Sequence, residues 1–556
     1  MSDIKHELKR WEGEHVAPVA ARDEGRVFNT GGGGFPVKRL YTPSDLEDIG
    51  FDYLRDVGFP GEWPYTRGID PQGYRVSPWS MIQYAGRGSI KDMNAALKQQ
   101  LADGATGLDL APDLPSQIGL DSDHPLARGE VGRVGVPLSS LADYEEIFEG
   151  IDVSKVHVTI QTNAQSFLTM AYLIALVEKQ GGDPGRIGSY FQNDVLKEFI
   201  ARGTQIFPPG DSMRLTTDVI LWCAGHQPHV SPQMVCEYHM RDAGATPIQS
   251  MAMMLGNAMA YADWVVKRGG SVSDYLKQLM VFITTNHSDF FEEVARIRAL
   301  RRLWAKLWKT RYGVSDPALL KCRMIEFQTG VPLTAQEPEN NIMRTAISVL
   351  AGALSGVQVM GPRTFDEALG VPSDKALRLA LRSQQVVAYE TGVCNTIDPL
   401  AGSYYVEWLT DKVQKGIEAY LDKIIERGGM PEAIASGWIQ SEIAHSAYEY
   451  QRQIERGERV VIGVNKFVSD VGRAGVKTYR IDLRVERERM ERMEQIRANR
   501  DRDRLSHALE QLKAVSRTEN NIIPATTEAV RAYATTGEIC DALRETFGIY
   551  RESHVF

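Results

Sequence analysis

Cysteine is scarce in this chain and widely scattered. Cys223, Cys236, Cys322, Cys394 and Cys540 form no Cys-x-x-Cys pair, which argues against a disulfide framework and a zinc site. No run of about 18 apolar residues is present, so no membrane-spanning helix is expected. The first fifteen residues, MSDIKHELKRWEGEH, are charged throughout and lack the apolar core of a signal peptide. Positive charge is not in excess: 63 Lys and Arg stand against 72 Asp and Glu, a net charge of −9. That balance excludes bulk attraction to nucleic acid or to an anionic membrane surface. No Gly-Lys-Ser/Thr follows the glycines at 31–34, so they are not a phosphate loop and supply flexibility instead. Gly129, Gly132 and Gly135 do not have dinucleotide-fingerprint spacing. A cytoplasmic protein is the expectation.

What remains is an ordinary globular composition of 556 residues, 43% hydrophobic and 24% charged. Residues 1–75 carry few periodic apolar runs and are expected to form an extended arm. From Trp79 onward, short apolar runs recur near 80–85, 106–111, 156–162, 188–192, 231–238, 277–284, 321–328 and 356–361. Helical periodicity fills most gaps, over 91–102, 164–179, 212–224, 248–266, 289–310 and 340–354. Eight strand–helix units predict parallel pairing with right-handed crossovers, and a closed (β/α)8 TIM-type barrel over 76–400. Residues 401–556 are expected to be helical, with 405–427, 430–456, 526–535 and 537–547 as elements. The Arg/Glu-rich stretch 484–504 has alternating signs and reads as a solvated helix face.

Polar residues fall where the predicted strands end, the edge of such a barrel where chemistry is placed. They are Tyr84, Asp113, Asn163, Gln192, the pair Tyr238-His239, and Gln358. Arg202 follows on the short helix after the fourth strand. Its guanidinium suits a carboxylate, while a plainer role is an ion pair with Glu198 four residues earlier. For His239 the plainer role is a structural histidine satisfied by a neighbouring carbonyl. His226-x-x-His229 is too weak a signal for a metal, and no metal site is expected. An aromatic, an arginine, a histidine and amides without a strong acid–base pair suggest that a cofactor does the hard chemistry.

Longer motifs then carry a resemblance. Trp79-Ser80-x-x-Gln83-Tyr84-Ala85-Gly86, Asp121-Ser122-Asp123-His124-Pro125, Gln192-Asn193-Asp194-Val195-Leu196-Lys197-Glu198-Phe199 and Tyr238-His239-Met240-x-x-Ala243-Gly244-Ala245-Thr246 resemble the methylmalonyl-CoA mutase family. Asp398-Pro399-Leu400-Ala401-Gly402-Ser403-Tyr404 and Ile462-Gly463-Val464-Asn465-Lys466 extend the match toward the C-terminus. The resemblance implies an adenosylcobalamin-dependent carbon-skeleton isomerase with a radical mechanism on a (β/α)8 barrel. It implies that Tyr84 packs against the reacting group and that His239 sits between cobalamin and substrate, donating to the migrating carbonyl. Arg202 would hold a substrate carboxylate, Gln192 and Gln358 would contact the substrate or its thioester, and Glu367 would reach the adenosyl ribose.

Two departures from the family qualify what is expected. The Asp-x-His-x-x-Gly motif that ligates cobalt is absent, and the chain ends where that domain would begin. A large subunit is therefore expected, in a heterotetramer or similar heteromer with a small cobalamin-binding subunit. Second, the family threads the pantetheine arm of coenzyme A along the barrel axis past small residues. At the matching places this chain carries Asp109, Gln161, Tyr190, Leu279, Ile325 and Phe327, and the arm has Asp70, Gly73, Ser77 and Ile82. These fill the axis or remove positive charge, which puts the coenzyme A handle in question and leaves the expected substrate as a small carboxylic acid or an acyl-CoA. The alternatives are a conventional methylmalonyl- or ethylmalonyl-type acyl-CoA mutase subunit, and a non-catalytic barrel that binds a partner.

Overall fold

A computed structural model describes residues 2–18, 27–86, 88–469, 482 and 484–551. Its strands are β1 (Ser80–Met81), β2 (Tyr84–Ala85), β3 (Gly107–Leu110), β4 (His157–Ile160), β5 (Ser189–Phe191), β6 (Val230–Ser231), β7 (Met234–Cys236), β8 (Met280–Thr285), β9 (Met324–Gln328) and β10 (Val359–Gly361). All pair in parallel, in the orders β1-β10-β9-β8-β7 and β2-β3-β4-β5-β6. β1 and β2 are halves of one extended stretch, and so are β6 and β7. Each of those two stretches therefore belongs to both sheets. Backbone bonds span the seams: Thr106 N to Met81 O (3.0 Å), Ile82 N to Met360 O (3.1 Å) and Met234 N to Gln192 O (3.0 Å). Eight stretches thus follow one another round a TIM-type barrel, at the eight positions the apolar runs predicted.

Strands of this kind are buried on both faces, which is why they read as continuous apolar runs. Successive side chains alternate between the faces. Val281 and Ile283 point out into the main core beneath the helices, whereas Met280 and Phe282 point inward. The inward set, with Ile82, Met234, Ile325, Phe327 and Val359, forms a separate apolar cluster against which Tyr84 and Tyr190 pack. Phe327 lies directly on Gly361, whose missing side chain leaves it room: a Cβ there would come within 2.4 Å of the ring.

Helices Ile90–Ala102, Ser166–Lys179, Pro209–His226, Pro247–Lys267, Phe290–Arg311, Asn340–Ser355 and Asp374–Glu390 lie around the strands. Pro247 is tolerated because it occupies the first turn, behind a Thr246/Gln249 capping box. Phe290–Arg311 also binds the flanking regions. Buried Arg301 donates to the backbone oxygens of Tyr65 (2.9 Å) and Thr66 (2.7 Å) in the arm, and Arg298 pairs with Asp398 and Glu407. Of the glycines at 31–34, the first three are packed rather than merely flexible. Gly32 N and Gly33 N donate to Glu292 at 3.0 and 2.6 Å, and a Cβ on Gly32 would strike Pro247.

Beyond residue 400 the described elements are helical. The helix expected over 430–456 is two, Met430–Ala435 and Trp438–Glu455, because Gly437 adopts φ 75° between them. The solvated-face reading of 484–504 holds for one side of its first helix, where Arg484, Arg487, Glu488, Glu491, Arg492 and Glu494 are exposed, while the other side is buried. Helix Arg484–Asn499 docks on the barrel, with Arg489 buried and bidentate to Asp143 at 2.5 Å for both bonds. Arg497 of the same helix holds Asp121 and Asp123. Among the described residues no helix is long and apolar enough to cross a membrane.

Candidate active site at the barrel mouth

The C-terminal ends of the strand stretches bring Tyr84, Gln192, Arg202, His239 and Glu367 to one end of the barrel. Gln192 follows β5 and is fixed by its neighbours. Its Oε1 accepts from Asn163 Nδ2 and from the buried Lys197 Nζ, both at 3.1 Å, and its Nε2 donates to Gln161. Gln161 in turn donates to Asp109 Oδ1 at 2.7 Å. Burial raises the Asp109 carboxyl to about 7, and its Oδ2 has no partner among the described residues. A polar chain therefore runs from Asp109 on β3 to Lys197 beyond β5.

Lys197 pairs with Glu198, which opens the wide helical turn Glu198–Arg202. Burial opposes ionisation of Glu198, but Lys197 and Arg202 outweigh it and hold the carboxyl below its ordinary value. Arg202 is 25% exposed. Its Nη1 donates to Thr204 Oγ1 (2.8 Å), its Nη2 to Gln117 Oε1 (2.6 Å), and Glu198 stands 3.6 Å away. The ion pair with Glu198 therefore exists, while the guanidinium also faces the mouth.

His239 lies in the short helix Tyr238–Asp242 that follows β7. Its ring meets Tyr238 and Phe282 edge-on, at 5.1 and 6.1 Å between centroids. Nδ1 is buried and without a hydrogen-bond partner among the described residues, so the carbonyl contact of a structural histidine is missing there. Burial, then the positive charges of Lys197, Arg202 and Arg363, push its pKa well below the usual imidazole value. The imidazole is neutral. Burial also raises the Tyr84 phenol to about 12, so it stays protonated.

Two further residues need comment. Gln358 does not close the eighth strand: it precedes β10 at the opposite end of the barrel, corrected by two to three residues of register. There its Oε1 accepts from Met324 N (2.8 Å) and its Nε2 donates to Gly356 O (2.9 Å). The residue that the eighth strand does deliver to the mouth is Arg363, which sequence reasoning missed. Applying the strand-end rule after Gly361 finds it. Arg363 lies over the rings of Tyr238, Tyr84 and Phe327 at 5.2, 5.6 and 5.8 Å, with Glu367 at 3.7 Å.

Cavities flank the barrel at both ends. A cleft of about 2060 Å³ at the upper end is lined by residues including Arg241, Asp242, His287, Thr329 and Tyr450. It adjoins the mouth without including Tyr84, His239 or Arg202. A cavity of about 160 Å³ at the lower end lies between arm and barrel, with Arg67, Asp70, Gly73, Ser77, Arg301 and Gln358 in its wall. Neither is lined by the interior cluster, in which Ile82, Ile325 and Phe327 are 2%, 0% and 1% exposed. Of the residues expected to fill the axis, Leu279 is the exception: it packs outward into the main core. Asp113 serves locally, capping Leu114–Gln117 and accepting from Gly132 N. His226 stacks on Trp222, and no group of three or more His, Cys, Asp or Glu among the described residues could hold a metal ion.

Known proteins are similar to this chain in sequence. The family profile described as methylmalonyl-CoA mutase matches residues 31–549. The chain is 38% identical to the 2-hydroxyisobutanoyl-CoA mutase large subunit of Aquincola tertiaricarbonis, across 100% of this chain and 98% of that one. It is 37% identical to the methylmalonyl-CoA mutase of Escherichia coli (strain K12), across 93% of this chain and 72% of that protein. The Rhizobium meliloti (strain 1021) methylmalonyl-CoA mutase is 35% identical across 98% and 75%. With a parallel barrel, a matching profile along nearly all its length and relatives of this kind, the chain belongs to the methylmalonyl-CoA mutase family of cobalamin-dependent isomerases.

Proposed function

We propose that the chain is the large subunit of an adenosylcobalamin-dependent carbon-skeleton mutase. It rearranges a small carboxylate-bearing substrate by a radical mechanism, with cobalamin carried by a separate small subunit. The observation that carries this reading is the mouth: a neutral histidine, a protonated tyrosine and a partly exposed arginine converge over a barrel whose interior is packed. The residues there suit the cofactor. His239 Nδ1 lacks a partner, Glu367 is 29% exposed and offers a carboxylate to the adenosyl ribose, and the adjoining cleft is roomy. The sequence lacks the cobalt-ligating Asp-x-His-x-x-Gly motif, and the Aquincola relative is named a large subunit. The relative's name supports a small partner subunit as the carrier of cobalamin.

When bound, adenosylcobalamin supplies the hydrogen-abstracting radical; the remaining tasks fall to this chain. Arg202 clasps the substrate carboxylate, its fork held in place by Thr204 and Gln117. Gln192 has its oxygen and one amide N–H occupied, which leaves one N–H for the substrate. Tyr84 forms the wall against which the reacting carbons pack. His239, uncharged, donates a hydrogen bond to the migrating group without giving up its proton, and shields the radical from solvent.

The test is reconstitution of the chain with a small cobalamin subunit and adenosylcobalamin. Tritium exchange between the cofactor's 5′ carbon and an acid substrate, with a cob(II)alamin spectrum, is expected. Neither signal with any small acid or acyl-CoA would overturn the reading. A conventional acyl-CoA substrate is the second reading, favoured by the thioesters in the relatives' names and by the lower cavity. The packed interior between that cavity and the mouth weighs against it.

A further inference from the structure

Next to Arg202 lies a cation to which the proposed chemistry gives no task. Lys197 is fully buried, as is its partner Glu198, whereas Arg202 keeps a quarter of its side chain exposed. Glu198 and Arg202 stand four residues apart on one helical turn, a spacing that ordinarily joins a carboxylate to a guanidinium. Here the contact does not close. The approach of Nη1 to Oε1 is 3.6 Å, beyond hydrogen-bonding distance.

The reason is that Glu198 is already occupied. Its Oε1 accepts from Lys197 Nζ, and its Oε2 accepts from Thr204 N (2.9 Å) and Thr204 Oγ1 (2.7 Å). Gly203, at φ 77°, makes the turn that brings Thr204 back to this carboxylate. Arg202 takes neutral partners instead, Thr204 Oγ1 and Gln117 Oε1, and the Gln117 amide is fixed by donating to Pro112 O at 2.6 Å. Asp194, also near Lys197, is committed elsewhere, accepting from Tyr261 Oη (2.6 Å) and Cys236 N (2.7 Å). Lys197 and Glu198 therefore cancel, and the remaining positive charge resides on the guanidinium that faces the mouth. Without Lys197, the buried Glu198 carboxylate would lack its cation, a strongly unfavourable state. Arg202, already 3.6 Å away, is the cation within reach.

We propose that Lys197 is a positioning residue: by neutralising Glu198 it prevents Arg202 from being captured by its own helical turn, and so leaves the guanidinium free for the substrate carboxylate. This rests on the reading of Arg202 as the carboxylate-binding group of a mutase site, and adds what keeps that group available. Gln192, to whose oxygen Lys197 also donates, retains a second donor in Asn163, so its orientation does not depend on Lys197 alone.

Isothermal titration of the full chain, without cofactor, tests the inference with ligand pairs that differ by one carboxylate. Methylmalonyl-CoA is set against isobutyryl-CoA, and butyrate against butyramide serves for the carboxylate contact alone. In the parent, the carboxylate member of at least one pair is expected to bind more tightly. Lys197→Met should reduce that preference by about 10-fold or more and leave the affinity of the neutral member unchanged. The double variant K197M/E198Q removes both charges and should restore the preference. If Lys197→Met does not fold, Lys197→Gln, which keeps hydrogen bonding without the charge, takes its place. The inference is overturned if both members of a pair weaken equally, if the preference survives loss of the Lys197 charge, or if the double variant fails to restore it. A parent without preference in either pair overturns it together with the reading of Arg202. Failure of the mutase reading alone shows differently: the preference follows Lys197 as expected, yet the reconstituted enzyme exchanges no hydrogen.

Discussion

At the scale of single residues, charge placement decides what each group can do. His239 is kept neutral by burial and by three nearby cations, which suits the proposed role of hydrogen-bond donor rather than acid. His239→Ala should lower turnover of the reconstituted enzyme roughly 100- to 1000-fold, the usual effect of losing one well-placed donor. It should also speed loss of cofactor to oxygen, followed by absorbance during turnover, with subunit association intact. Unchanged turnover and unchanged inactivation would mark His239 as structural. Arg202→Gln removes a charge-assisted fork and should cost on the order of 2–5 kcal/mol in binding of carboxylate-bearing substrates. Amides or esters of the same acids should lose far less, and an equal loss on both would count against the assignment.

Asp109 gives a pH prediction. Its folded carboxyl titrates near 7, above its ordinary value of 3.8, because it is fully buried. Between those pH values the folded chain keeps a proton that the unfolded chain releases, so stability falls as pH rises. Asp109→Asn removes that fall, with a gain over the parent that grows from about pH 4, levels off above about pH 7, and reaches at most about 4 kcal/mol. Urea melts at pH 5 and pH 8 measure it; a gain independent of pH would show that Asp109 is ionised throughout.

At the scale of elements, buried arginines tie the additions to the barrel. Helix Arg484–Asn499 is so rich in charge that its sequence reads as solvated, yet one of its arginines is the anchor. Arg489→Ala leaves the Asp143 carboxylate buried without its partner and should destabilise the protein by about 3–5 kcal/mol. A lowered urea midpoint, with protease cleavage beginning near residues 484–499, is the expected readout; a shift under about 0.5 kcal/mol, typical of a surface substitution, would show that Arg489 does not anchor the helix. The strands, by contrast, were legible because burial on both faces leaves an apolar run at each one. Their ends were less so: Gln358 was placed at the wrong end of the eighth stretch because only three residues, Val359–Gly361, carry the pairing there.

At the scale of the whole molecule, the proposed reading needs a second, cobalamin-bearing subunit at the barrel mouth. The chain alone is expected to bind cobalamin weakly or not at all, since no cobalt-ligating motif is present and no metal-binding group occurs among the described residues. Absorbance titration of the purified chain checks this, and tight stoichiometric binding without a partner would refute it.

The sequence by itself determined the barrel, because strand and helix periods are local and each element carries its own apolar pattern. It also determined the family, because long collinear motifs survive in the order of the chain. It named Tyr84, Gln192, Arg202 and His239 as strand-end groups, and the structure gathers them at one end. Only the tertiary structure decided which residues point inward, sending Leu279 out to the core while Ile82 joins the packed interior. Only it brought Arg363 over the rings of Tyr84 and Tyr238, residues 279 and 125 positions away in the chain. Such partnerships depend on ring closure and on a register that shifts every side chain when it slips by one residue, and neither is written in any local stretch.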